Sequence, residues 1–265
     1  MQNFYGVGLA IPESSLIGDP AEDEAILDAL IVEGTAKIGA ALDAILQGLP
    51  LPVMAGAVID RTLLQTGPDQ ILQAIDLGNP ELRAAIESAL IAGGVAGATR
   101  AGVILRVIDR PVKSAMYNVW AEAWAREQAG RLITAISETT RARVRGVLAD
   151  WIKAGDLDIA DLKRALSGPG LFGPARASLI ATTEITAAYA NGNFDAYEAA
   201  GLGHRPPPQD QPPAHPGCRC WVSVGGRGGS LYYVWYTAAD DRVCPICQPL
   251  HAQSIGYAGP DRGAV

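Results

Sequence analysis

Apolar positions recur every three to four residues through most of the first 200, a period that predicts packed helices. Ile26, Leu30, Ile38, Leu42, Ile45 and Leu46 form the first stripe, which starts near Ala21 and is closed by Gly48 and Pro50. A second helical stretch is predicted near 68–77, stopped by Gly78-Asn79-Pro80. A third starts at Pro80, a residue suited to a first helical turn, and runs through Leu82, Ile86 and Leu90. Beyond it, Gly93, Gly94 and Gly97 offer either close helix packing or a flexible joint. The longest stripe runs from Pro111 to Ala154, with Met116, Trp120, Trp124, Leu132, Ile136, Val144, Leu148 and Trp151 mostly on one face. Gly130 and Gly146 predict a break into two helices. A short helix follows, capped by Asp158 and carrying Ile159, Leu162 and Leu166, and then a loop at Ser167-Gly168-Pro169-Gly170. The last helix is predicted from Pro174 to Ala200, with Gly201 as its stop.

The pattern changes near residue 204. Residues 204–220 contain six prolines, two histidines and two cysteines. Trp221–Val224 and Leu231–Thr237 read as short strands around a Gly-rich turn at Gly225–Gly229. The predicted organisation is an extended arm (1–20), an N-terminal helical region (21–110), a helical core (111–203) and a Pro/Gly-rich module (204–265). The fold class is mainly α, with a small module of short β-strands at the end.

Composition supports this reading. Apolar residues are 49% of the chain and charged ones 18%, which argues against disorder, and the 6% of aromatics favours helices over a β-sandwich. The net charge of −7 is concentrated: Glu13, Asp19, Glu22, Asp23, Glu24, Asp28, Glu33 and Asp43 face only Lys37 in the first fifty residues. No net basic face is left for sequence-independent nucleic-acid binding. Arg126, Arg131, Arg141, Arg143 and Arg145 alternate with Glu122, Glu127, Glu138 and Asp150, the pattern of a solvated helix face. Met1-Gln2-Asn3-Phe4-Tyr5 has no secretory character. Ala89–Leu105, interrupted by Arg100 and four glycines, reads as too short for a membrane span. The expected compartment is a reducing cytosol, where cysteines more often hold metal than form disulfides.

The candidate chemistry lies in the module. Cys244 and Cys247 form a C-x-x-C, and Cys218 and Cys220 form a C-x-C with His215 three residues before it. Cys244, Cys247, Cys218, Cys220 and His215 exceed a tetrahedral ion's needs by one donor; the expected set for a structural zinc is Cys244, Cys247, Cys218 or Cys220, and either His215 or the other thiol. Such an ion would tie together a segment with little core of its own. Other chemistries remain open: disulfides in three connectivities, a redox pair without its usual βαβ setting, or catalytic zinc. A nucleobase deaminase needs H-x-E before P-C-x-x-C, and no Glu stands two residues after His204, His215 or His251. H-E-x-x-H, P-loop and G-x-S-x-G motifs are absent. Asp240-Asp241 reads as a solvated turn. Arg176, Glu184 and Asn191 fall on one face of the last helix, a structural polar face with Glu184 as a buried hydrogen-bond partner.

Three segments carry a family resemblance. Arg176, Ile180, Ala181, Thr183, Glu184, Asn191 and Tyr197 match R-x-x-x-I-A-x-T-E … N … Y. Trp235, Thr237, Asp240, Arg242, Cys244 and Cys247 match W-x-T-x-x-D-x-R-x-C-x-x-C, and Pro212 to Cys220 match P-P-x-H-P-x-C-R-C. Together they resemble the phage head-morphogenesis, or Mu F-like minor head, proteins over about residues 120–250. In that family the C-x-x-C segment comes first; here the order is reversed, which a metal site tolerates if its ligands converge. The resemblance implies that 111–203 is a head-morphogenesis core. It also implies a minor structural component of a tailed-phage head, non-enzymatic, acting in assembly or DNA delivery. Portal or capsid proteins are the expected partners, with self-association possible and with neither sequence-specific nucleic-acid binding nor membrane attachment. The expected location is the virion head or portal vertex, after assembly in the host cytoplasm. The competing expectations are a zinc-dependent hydrolase or phage-borne toxin using Glu184 or Asp240, and a host-encoded interaction module borrowed from a prophage.

Overall fold

The computed structural model describes residues 10, 12, 15, 17–49, 70–73, 75, 79–154, 159–168, 171–238, 240 and 243–259. The fold is mainly helical with a small C-terminal antiparallel sheet. Helix α1 spans Pro20–Gly48, α2 Asn79–Val107, α3 Ala115–Ala154, α4 Ile159–Leu166 and α5 Pro174–Ala199. Strands β1 (Trp221–Arg227), β2 (Ser230–Tyr236) and β3 (Gln253–Tyr257) pair in that order. The second predicted helix is seen only at 70–73 and 75; Asp158, Pro169 and Gly170 lie outside the described residues.

Local chemistry sets the helix ends. The Asp19 carboxylate accepts the Ala21 N–H at 3.0 Å, and Pro20 takes the first helical position of α1. At the end of α5, Gly201 adopts φ +71°, and Leu202 and Gly201 donate back to Tyr197 and Glu198. This closing turn satisfies the last carbonyls, as the sequence predicts.

Two expectations about helices are corrected. Residues 115–154 form one helix rather than two. A helical glycine costs about 1 kcal/mol, too little to break a helix whose Ala121, Ala125, Ala129, Val144 and Leu148 are all buried. Of the two readings of the α2 glycines, close packing holds: the helix runs unbroken through them. A methyl group on Gly97 would overlap the Tyr189 carbonyl, and one on Gly192 would overlap the Gly94 carbonyl, so α2 and α5 meet backbone to backbone. By length and apolarity Pro80–Val107 does qualify as a membrane span, contrary to the sequence expectation, but 61% of its most apolar window is buried inside the protein.

The chain divides into two compact units. One comprises 1–33, 88–125 and 181–265; the other comprises 34–87 and 126–180. Residues 204–265 therefore share a unit with parts of α1, α2, α3 and α5. Its core is Ala98, Ala101, Ile104 and Leu105 of α2, Tyr117 of α3, Phe194 and Tyr197 of α5, and Val222, Val224 and Tyr233 of the sheet. The β1–β2 hairpin turns at Gly228 and Gly229, both at positive φ, where glycine carries no steric penalty. The N-terminal segment meets the sheet twice: Ala10 bridges to Gln253, and Ile17 donates to Val224. In the other unit, Arg176 of α5 donates to the hydroxyl of Thr140 at 3.0 Å, while Arg126, Arg131, Arg143 and Arg145 on α3 are exposed.

Candidate metal centre

The hairpin holds two loops at one end. Segment 212–220 enters β1, and segment 237–252 joins β2 to β3. Register along β1 and β2 places Trp221 opposite Tyr236, so Cys220 and Thr237 leave the sheet side by side. The five predicted donors converge there. His215, Cys244 and Cys247 form one set with donor atoms within 4.8 Å of one another; Cys218, Cys220 and Cys247 form a second. Measured separations are 2.8 Å from Cys244 Sγ to His215 Nε2, 3.3 Å from Cys247 Sγ to His215 Nε2, and 3.7 Å from Cys247 Sγ to Cys218 Sγ. Ligands at the corners of a zinc tetrahedron lie about 3.8 Å apart for sulfur pairs and about 3.5 Å for sulfur and nitrogen. The 3.7 and 3.3 Å separations are close to those edges, whereas Cys244 and His215 at 2.8 Å would have to part to share an ion. All four cysteines are free thiols; Cys218, Cys220 and Cys247 are buried, whereas Cys244 and His215 are half-buried. The cluster could hold a metal ion.

The surroundings favour anionic sulfur. The Cys247 N–H donates to Cys244 Sγ at 3.4 Å. Hydrogen bonds from the Cys220 and Cys247 thiols hold the Cys218 thiol below its ordinary range, while the same contacts push the Cys220 and Cys247 thiols up. The His215 ring bonds the Pro216 carbonyl through Nδ1 at 2.8 Å; a carbonyl only accepts, so Nδ1 carries the proton and Nε2 presents a lone pair to the thiols. Gly217 donates to the Thr183 hydroxyl at 2.8 Å, tying this turn to α5. Asn193, also on α5, donates to the Val222 carbonyl at 3.1 Å.

Arg219, between Cys218 and Cys220, was not singled out by its sequence. It donates to Asp240 at 2.7 Å, pairs with Asp28 of α1 and lies 3.8 Å from Glu24. Asp240 is thus an ion-pair partner rather than part of a solvated turn; Asp241 lies outside the described residues. Arg100 similarly engages Asp23 at 3.0 Å and Glu22, and Tyr189 donates to Asp23 at 2.6 Å. Much of the acidity of α1 is therefore answered within the fold. Its partners are 77 to 191 residues away, which no local pattern could reveal.

The predicted polar face of α5 is not one network. Arg176 bonds Thr140, whereas Asn191 donates to Asp195 at 2.9 Å and accepts from Arg205 at 2.9 Å. Arg205 also grips Asp195 and Glu198 and lies over the Phe194 ring. Glu184 takes no hydrogen bond among the described residues, and burial alone raises its pKa to about 7. His251 is occupied elsewhere: its Nδ1 sits 2.8 Å from the Thr237 hydroxyl.

Compared with known proteins, this chain matches no family, no curated protein and no solved structure.

Proposed function

We propose that the protein is a minor structural component of a tailed-phage head, shaped by one zinc ion and acting through contact with portal or capsid protein during assembly or DNA delivery. The observation that carries the reading is the meeting of the three motif segments. The Thr183 hydroxyl of the α5 motif bonds Gly217 of the H-P-G-C-R-C segment. That segment's Arg219 bonds Asp240 of the W-x-T-x-x-D segment, and its Cys218 faces Cys247. Motifs resembling one family, in an altered chain order, thus meet around one cluster. Thiolates with an imidazole suit zinc over harder ions. A donor set larger than four leaves no coordination position for substrate, the arrangement of a structural site. Asp240 is held by Arg219 and is not free to act as a base.

The test is a phage lacking the gene, complemented with this chain or with Cys244→Ser. Complementation by the parent chain and its copurification with head proteins are expected, with impaired head assembly for the variant. Heads that assemble, package and infect normally without the protein would remove the proposal. The second reading, a zinc hydrolase or toxin, draws on Glu184, a carboxyl protonated near neutrality. Hydrolytic activity abolished by Glu184→Gln would establish it instead.

A further inference from the structure

Five donors surround a place where a tetrahedral ion takes four. We propose that the ion sits between two matched turns, His215-Pro216-Gly217-Cys218 and Cys244-Pro245-Ile246-Cys247. His215, Cys218, Cys244 and Cys247 are its ligands, and Cys220 is a thiol outside the shell. This deepens the zinc reading above and rests on it.

The two turns are alike in sequence and geometry. Each begins with a donor, continues with proline and closes on cysteine after two residues. In each, the closing cysteine's N–H donates to the carbonyl of the opening residue, at 3.1 Å in both. Pro216 and Pro245 are both exposed, and Cys218 and Cys247 are both buried. A turn of this span brings the side chains at its two ends to one side, so each turn delivers a pair of ligands. Short contacts link the four donors: Cys244 to His215, His215 to Cys247, and Cys247 to Cys218. The fixed His215 tautomer turns an unprotonated nitrogen toward the sulfurs, as a ligating histidine requires.

Cys220 shares the burial of Cys218 and Cys247 but not their place in a turn. It belongs to neither turn and lies directly before β1, where pairing of Trp221 with Tyr236 fixes the backbone. It is buried among Cys218, Cys247 and Trp235. Its sulfur lies within 4.8 Å of those of Cys218 and Cys247, as theirs lie of each other, so its place in the backbone rather than its distance sets it outside the shell. The C-x-C pairing in sequence is thus misleading: one cysteine closes a turn, and the other packs under the hairpin.

The test uses the full chain purified with zinc and, separately, loaded with Co(II) alone. X-ray absorption of the zinc form counts sulfur and nitrogen ligands without mutation. Three sulfurs and one nitrogen are expected. Cys220→Ser and Cys220→Ala should keep one ion per chain and leave the cobalt ligand-field and thiolate charge-transfer bands unchanged. His215→Ala should lower metal affinity at least tenfold or convert the spectrum to a four-sulfur type. Four sulfurs in the parent, or a lost sulfur in either Cys220 variant, would overturn the assignment while leaving a metal site in place. A parent chain that binds neither ion would overturn the metal reading itself.

Discussion

At the scale of single residues, Glu184 shows a cost that hydrogen-bond patterns do not. It is a half-buried carboxyl whose pKa is raised to about 7 by desolvation. Because the folded value lies above the unfolded one, the fold favours the protonated form. The resulting stabilisation is complete below pH about 4.5 and is lost as pH rises through about 7. Glu184→Gln, which mimics the protonated state, should stabilise the protein at pH 8 by about 1–3 kcal/mol and flatten the pH dependence between those values. Urea denaturation of both proteins at pH 5 and pH 8 measures this; equal stability at pH 8 would show the carboxylate to be well solvated. Sequence placed Glu184 correctly on α5 but supplied it with partners it lacks. Arg176 and Asn191 share its face by helical spacing, yet longer-range contacts, to Thr140 and Arg205, draw each away. Spacing reveals neighbours along one helix and says nothing about competitors from elsewhere.

At the scale of elements, the glycines of α2 and α3 make opposite predictions from the same residue type. Gly97 lies against the Tyr189 backbone, so Gly97→Ala must push α2 and α5 apart and should cost about 2 kcal/mol or more, as overpacking does. Gly146 has open space where a side chain would begin, so Gly146→Ala should gain about 0.5–1 kcal/mol through helix propensity. Thermal melting of the two variants checks both signs. The sequence located α1, α4, α5 and the hairpin because caps, periodicity and turn glycines act locally. It missed β3, whose Gln253-Ser254-Ile255-Gly256-Tyr257 has neither strong alternation nor a run of β-branched residues. That strand exists because β2 offers it an edge, and its residues are only half-buried or exposed. The candidate metal donors were legible because ligand spacing is itself a local signal, whereas the place of Cys220 directly before β1 was not.

For the whole molecule, the sheet stands on an apolar core shared with α2 and α5, so an ion at the cysteine cluster would not be its sole support. Chelation should therefore loosen 212–220 and 237–252 while β1, β2 and the helices keep their protection. Hydrogen exchange with and without chelator measures this, and collapse of the hairpin on metal removal would contradict it. Arg219→Gln should separately release the first turns of α1, raising exchange near Asp28 at constant metal content. The ion pairs of α1 also have a consequence in time. Translation produces Asp28 long before Arg219, and Ala10 long before Gln253. On the ribosome Glu22 and Asp23 can pair once Arg100 emerges, whereas Glu24 and Asp28 must wait, solvated, for Arg219. The two turns proposed to bind an ion lie only 29 residues apart, so they would meet promptly once Cys247 is free. Emergence of Arg219, 191 residues after Asp28, is the event that fastens this part of α1 to the sheet module.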